Sequence, residues 1–472
     1  MLTNNPEFKK HFKLEVNTTR LAVSFGLLLL IALITAQNVN LNVTQAQLRD
    51  EFAAVFQTFS TLGFFIAILW GTYLAASSIN EEARQKTWDF VRMSSLSPAK
   101  ILVGKLFGST ALVWIVSLTV IIPAMLLAGS YMIDPYAVIK RPEFVTLFQL
   151  AFCAICWAVF SHAWGILMSL QALAVSGTGK EKNNSFGIAL VILFGGSFIG
   201  AGIQLGFIEF TRVMPTQLSG LTSWYGINMR TLDTVMLSLS FATFWAVVGA
   251  YQILRQTLKF RDLPIAWISF LITTTLFLQG FRVNDEFSDF LIWPLVLGIL
   301  TMGIMVMAES RDIVAYKTFA ARFSSGDYRN AARHLPLWMI SATFMLISII
   351  LSLIFVNHKP TMVFGMLSLI AFIVRDLLAL HYIAWKPGVR RPLLGFFLYG
   401  FVMYFLLPMM FKEVDYDLAG MFFPGIVAIK QQVDPNTVYT ASYWLFLTAQ
   451  ICFAAWLFKG RWLVAFKKEK QA

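Results

Sequence analysis

The chain has 472 residues, 58% of them apolar and 13% charged, with a formal net charge of +12. Soluble domains carry about 45–50% apolar and about 25% charged residues, so this chain has more apolar surface than a water-soluble core can bury. Three cysteines exclude a disulfide scaffold, and the excess of Lys and Arg reads as the loop charge of a membrane protein rather than as a nucleic-acid surface.

Lys9, Lys10 and Lys13 precede the first apolar run, as in a signal peptide. The run ends "LITAQ", which puts Ile34 at −3 of a cleavage after Ala36, so the segment reads as an uncleaved first transmembrane helix. Twelve apolar spans follow at approximately 21–36, 53–78, 101–129, 145–174, 186–208, 232–254, 264–281, 289–308, 336–357, 361–385, 392–411 and 439–458. With the N-terminus inside, and Lys105 at the start of span three counted at headgroup level with the inner loop, 27 of the 37 Lys and Arg lie on the inner side and 9 on the outer. That bias predicts that both termini are cytoplasmic.

The connection between spans two and three, "SINEEARQKTWDFVRMSSLSPAKILVGK", is dense in charge for so apolar a chain. Glu82 and Lys86 are spaced i,i+4, and Asp89 and Arg92 i,i+3. Trp88 and Val91 share a face with Thr87 beside them, which predicts a short helix with a charged and an aromatic side. Ser97-Pro98 stops it and starts the next helix. A positive-inside loop with Trp88 as interfacial anchor accounts for the Lys and Arg. It does not account for Glu81, Glu82 and Asp89, which suit docking of a soluble partner.

Further along, Cys153 and Cys156 form a CxxC inside an apolar run, with His162 about 180° around the helix from Cys153, so they read as buried small residues rather than a metal or redox site. "SGTGKEKNN" at 176–184 imitates a phosphate-binding loop, but Ala174 stands where the first Gly belongs and Glu181 follows Lys180. Gly196, Gly200, Gly202 and Gly206 in span five give small-xxx-small spacings for helix packing. Arg375 and Asp376 fall in span ten, where charges suggest a functional site. The span can also end near residue 374, with 375–391 continuing as a helix inside, leaving them as a pair on the cytoplasmic side.

"RMSS" at 92–95 recurs as "RFSS" at 322–325, each after the second span of its half. "WYGIN" at 224–228 and "FPGIV" at 423–427 each precede a sixth span, and each half ends in a basic tail, at 253–261 and 458–468. The shared order predicts an all-α polytopic protein of about 12 transmembrane helices in two parallel six-helix halves.

Ser78-Ile79, Glu81-Glu82, Thr87-Trp88, Leu96-Ser97-Pro98 and Ile101-Leu102-Val103-Gly104-Lys105 together resemble the first intracellular loop of type-2 ABC exporter permeases. "NPEFKKHFKLEVNTTR", Asn5 to Arg20, resembles that family's amphipathic elbow helix, with Phe8, Phe12 and Leu14 or Val16 toward lipid and Lys9, Lys10 and Lys13 toward headgroups. The resemblance implies an elbow helix at 1–20, a first six-span domain at 21–262 with a coupling loop at 78–100, and a diverged second domain at 263–472. Glu81, Glu82, Arg84, Thr87, Trp88, Arg92 and Pro98 would couple to an ATPase; Glu309, Arg311, Asp312 and Arg322 would do so more weakly, since the second loop lacks the Thr-Trp step, the proline and the Gly-Lys. Spans two, five, eight and eleven would line the path, with Phe56, Gln57, Phe64 and Gln204 as candidates. No nucleotide-binding domain is present, so the chain would be a permease rather than an enzyme, with ATP and magnesium on separate ATPase subunits, two per chain, in a bacterial inner membrane. The competing expectation is an ion-coupled secondary transporter of twelve spans, for which Asp376 and Glu209 are the few candidate acids. A membrane enzyme has no HExxH or paired-carboxylate motif to support it.

Overall fold

In the computed structural model the described residues are 4–37, 59, 62–131, 144–176, 221–260, 262–281, 287–309, 313–355, 360–385, 392–412, 422 and 441–467. They fall into two compact units, Met1–Arg261 and Asp262–Ala472.

The first unit opens with α1 (Pro6–Glu15), which has Pro at its first turn and Asn5 as N-cap, the Asn5 side chain accepting the N–H groups of Glu7 and Phe8. The chain breaks at Val16-Asn17 and turns 56° into α2 (Thr18–Gln37). Next come α3 (Leu62–Arg84), α4 (Trp88–Met93), α5 (Pro98–Gly108), α6 (Ala111–Tyr131) and α7 (Phe144–Ser176). The helix of the second expected span therefore runs on past residue 78 to Arg84 and carries Glu81 and Glu82 with it.

Two of these helices contain π-turns, Ile66–Trp70 in α3 and Gly104–Gly108 in α5. In the first, the Ala67 carbonyl accepts a hydrogen bond from His162 Nε2 of α7 at 2.8 Å. Gly71 makes room for that ring: a Cβ there would lie 2.1 Å from Nε2. After the second, α5 bends 46° into α6. Ser109 and Thr110 sit at the bend and donate back to the Lys105 and Leu106 carbonyls, bonds that compete with the helix ladder and bend it.

A hairpin of β1 (Leu221–Trp224) and β2 (Ile227–Arg230) then leads into α8 (Thr231–Thr257). It is the exception to the all-α expectation among the described residues. Its turn residues, Tyr225 and Gly226, have φ of 49° and 77°, the left-handed pair that matches strand twist. Tyr is uncommon at such a position, so "WYGIN" carried no hairpin signal.

The second unit contains α9 (Ile265–Gln279), α10 (Phe287–Glu309), α11 (Ile313–Ser324), α12 (Tyr328–Ala332), α13 (Leu337–Phe355) and α14 (Pro360–Ala384). Pro392–Phe401 continues through a π-turn at Val402–Leu406 into Leu407–Lys412, together α15, and α16 is Ala441–Lys467. Among the described residues, five helices are long and apolar enough to cross a bilayer, or up to seven if each bent pair is one span; Ile265–Gln279, Trp293–Val306 and Gly395–Phe411 are shorter apolar helices. The protein is thus a helical, membrane-embedded type. Against the twelve expected spans, helices overlap the expected positions, the second only from Leu62 on, but five to seven of them have spanning length; the fifth lies outside the described residues together with its glycines, the 177–184 loop and "FPGIV".

Candidate functional site

The turn between α3 and α4 is a helix-terminating motif. Lys86 takes a left-handed φ of 61°, its N–H reaches the Ala83 carbonyl, and the Thr87 N–H reaches the Glu82 carbonyl at 2.9 Å. One helix through Glu82–Arg92 is therefore corrected to two helices with a break at 85–87, and Lys86 is not on the face of Glu82. Pro98 is at the first turn of α5, as its residue type predicts.

Glu82 faces inward, 5% exposed, and its carboxylate is the centre of a charge node. One oxygen accepts from Lys10 of α1 at 2.7 Å, the other from Lys105 of α5 at 2.6 Å. Lys105, 1% exposed, also lies 3.4 Å from Glu7 of α1. His11 Nε2 is 3.1 Å from Glu7 Oε1 and 3.5 Å from Lys105 Nζ. With its proton given to Glu7, that nitrogen cannot also accept from the ammonium. α1 comes this close because Gly104 and Gly108 of α5 lack side chains: a Cβ on Gly104 would lie 2.7 Å from Glu7 Cβ. Asn5 Nδ2 adds a bond to the Lys100 carbonyl at 2.6 Å.

Glu7, His11 and Glu82 bring three potential metal-ligand atoms within 4.8 Å of one another. Two ammonium groups already occupy the same carboxylate oxygens, so the arrangement suits an ion-pair network better than a divalent cation. Burial pushes the Glu7 carboxyl up, but the His11 bond and the Lys105 and Lys10 charges outweigh it and hold it below its ordinary 4.5. Burial likewise lowers Lys10, and its bond to Glu82 outweighs that and raises it above 10.5. A depressed acid stabilises above its ordinary value and loses that contribution as pH falls through its folded value; a raised base loses its own as pH rises through its folded value. The contributions of Glu7 and Lys10 to the docking of α1 are thus expected to be full between about 4.5 and about 10.5 and to be lost outside that window. Hydrogen exchange of the α1 backbone amides, measured across pH and corrected for the intrinsic pH dependence of exchange, would read this, and a loss of the Glu7 and Lys10 contributions inside that window would contradict it.

Trp88 is also buried, 7% exposed, packed with Ile101, Leu102 and Leu106, and Lys105 Nζ lies 5.8 Å from its ring centroid. Glu82 and Trp88 are therefore not available as outward docking groups, a correction to the sequence reading. The hydrophobic drive that buries Trp88 and Val91 turns the other side of α4 outward. Phe90 is 69% and Met93 75% exposed, flanked by the exposed pair Asp89–Arg92 at 3.0 Å. Glu81 and Arg84 pair at 2.9 Å at the exposed end of α3. Thr87 lies between, its hydroxyl on the Glu82 carbonyl at 3.2 Å.

The second unit has the same terminating turn after α11. Gly326 has φ of 81°, and the Asp327 N–H reaches the Arg322 carbonyl at 3.0 Å. Gly326 thus matches Lys86, and Tyr328 matches Trp88. "RMSS" closes the helix after its turn while "RFSS" closes the helix before it, so these tetrapeptides are not structural equivalents. Arg322 is 3.9 Å from Asp327. Glu309 ends α10, and Arg311 and Asp312 lie outside the described residues. Tyr328 is 65% and Phe323 57% exposed, where Trp88 is buried.

Of the path candidates, Phe64 is half-buried on α3; Phe56, Gln57 and Gln204 lie outside the described residues. Arg375 and Asp376 lie inside α14, which runs unbroken to Ala384. Arg375 is 2% exposed and bonds Asp376 at 2.9 Å, Gln450 at 2.7 Å and Tyr404 at 3.1 Å. Tyr399 donates to Asp376 at 2.6 Å, and Tyr404 does so as well.

Of the node residues, Glu7 and His11 were not singled out from the sequence, and Lys105, expected at headgroup level, is instead enclosed at 1% exposure. The close-packing signal Gly104-xxx-Gly108 was legible, but nothing in the spacing ties Glu7 to an acid in another helix. No protein-family model matches the chain, nor does any curated protein or solved structure.

Proposed function

We propose that this chain is the membrane-spanning subunit of an ABC-type exporter, driven by separate ATPase subunits that dock on the turn between α3 and α5 from the cytoplasmic side. The observation that carries the reading is the two-faced α4. Trp88 and Val91 fix one side to the helix bundle, while Phe90 and Met93 stand exposed on the other between charged pairs. Exposed apolar side chains rimmed by charge are the composition of a protein-binding patch. The residues resembling the type-2 loop support the same assignment, as does the apolar helical body around it.

In this reading ATP-driven closure of the partners pushes α4. The push reaches α3 and α5 through Trp88, and α1 through the Glu82–Lys105–Glu7 ion pairs, so the helices move together. Two docking turns suit two ATPase subunits per chain, with ATP and magnesium bound by those subunits.

The test is co-purification of the candidate ATPase with the tagged chain in mild detergent. Phe90→Asp/Met93→Asp is expected to lower recovered ATPase by about tenfold or more, the effect of removing interface hot spots, without changing the unfolding temperature of the permease. Equal recovery with the double variant would refute docking on this face. A second reading, ion-coupled transport, is favoured by one observation only, the enclosed Arg375–Asp376 pair in α14.

A further inference from the structure

Four buried polar atoms where α3, α6 and α7 pack have no hydrogen-bond partner among the described residues: Thr72 Oγ1, Trp114 Nε1, Ser117 Oγ and His162 Nδ1. Their side chains belong to α3, α6 and α7. Thr72 is 6%, Ser117 1% and His162 0% exposed. They line one seam. The Trp114 and His162 rings meet edge to face, centroids 5.5 Å apart. Ser117 follows Trp114 by three residues and so shares its helix face; its carbonyl lies 3.5 Å from where a Cβ on Gly63 of α3 would be. Thr72 follows Gly71, against which the His162 ring is packed, and its methyl group lies 3.0 Å from the Cβ position of Gly165 in α7.

The donor and acceptor pattern selects the occupant. The Ala67 carbonyl can only accept, so His162 Nε2 carries the proton in that 2.8 Å bond. The neutral ring then presents Nδ1 as a bare acceptor. Trp114 Nε1 can only donate, and the two hydroxyls do either. A guest that meets both rings must accept from Trp114 and donate to His162. A carboxylate or phosphate has no proton to give Nδ1, and a metal ion would face the Trp114 N–H. Water meets every requirement, and buried polar groups that the chain leaves unsatisfied are where internal waters reside.

We propose that Thr72, Trp114, Ser117 and His162 form an internal water-binding seam beside the π-turn of α3. The waters complete the hydrogen bonding of a helix whose own ladder is interrupted at Ile66–Trp70. They give α3 a hydrated joint, because a water exchanges partners more readily than a packed side chain does. α3 leads from this joint directly to the α4 turn. The site itself stands without the transport reading, since it rests on the seam's geometry alone.

Radiolytic labelling of the full chain in lipid nanodiscs tests this, since radicals formed from a bound water oxidise the side chains that touch it. After correction for intrinsic reactivity, Trp114 is expected to label about tenfold faster than the enclosed Phe396, with label oxygen that exchanges slowly with added H2(18)O. Ser117→Ala and Thr72→Val, mild changes in volume, are expected to reduce the Trp114 label several-fold. Labelling at the Phe396 level would overturn the proposal. So would immediate isotope exchange, which would mean bulk access, or a label that neither variant alters in folded protein.

Discussion

Lys105→Met should release α1 from the helix bundle. The substitution keeps the volume of a side chain that is 1% exposed but removes its ammonium group, leaving Glu7 and Glu82 to face each other in the interior. Removing one partner of a buried ion pair costs about 3–5 kcal/mol, because the remaining charge is stranded without water. Lys10 offers partial relief to Glu82, but its side chain is 46% exposed, so water screens it. The expected result is a lower unfolding temperature with faster tryptic cleavage at Lys9, Lys10 and Lys13. Glu82→Gln/Lys105→Met should recover part of the loss, and the double-mutant cycle should show coupling above about 1 kcal/mol. A single variant as stable and as protease-resistant as the parent would remove the node from any account of how α1 is held.

Arg375→Leu is the second large effect. It strands the Asp376 carboxylate against the hydroxyls of Tyr399 and Tyr404, without its cationic partner, at a similar cost of about 3–5 kcal/mol. Arg375→Leu/Asp376→Leu removes both charges, and such replacements are often neutral or stabilising by about 1–4 kcal/mol. That pair of variants also separates the two functional readings. An ABC permease should regain stability in the double variant and keep the ATPase activity of its purified complex. An ion-coupled transporter should regain stability and lose transport, because the coupling acid is gone.

The apolar runs, their helical nature and the polar density of the 78–105 connection were legible in the sequence, because span-length hydrophobicity and charge are local properties. So were the ends of elements that a single residue decides: Asn5-Pro6 opens α1, and Ser97-Pro98 opens α5. The hairpin at 221–230 escaped notice because it depends on a tyrosine held in a left-handed conformation.

Direction was the larger gap. Glu82 and Trp88 have the composition of a docking surface, yet both point inward, while Phe90 and Met93, which look like membrane-facing residues in a list, point out. Composition marks a segment as special but does not orient it. Orientation followed from the left-handed turn at Lys86, which rotates α4 relative to α3, and from the lysine of α5 that gives Glu82 a reason to be buried. The matching turn at Gly326 was hidden for the same reason, because a backbone conformation recurs there without its sequence. The sequence by itself determined that this chain is a bundle of apolar helices with one unusually polar joint. Only the tertiary structure decided which charges meet, since Glu7, Glu82 and Lys105 come from three separate helices and their pairing is enforced by the cost of leaving any one of them buried alone.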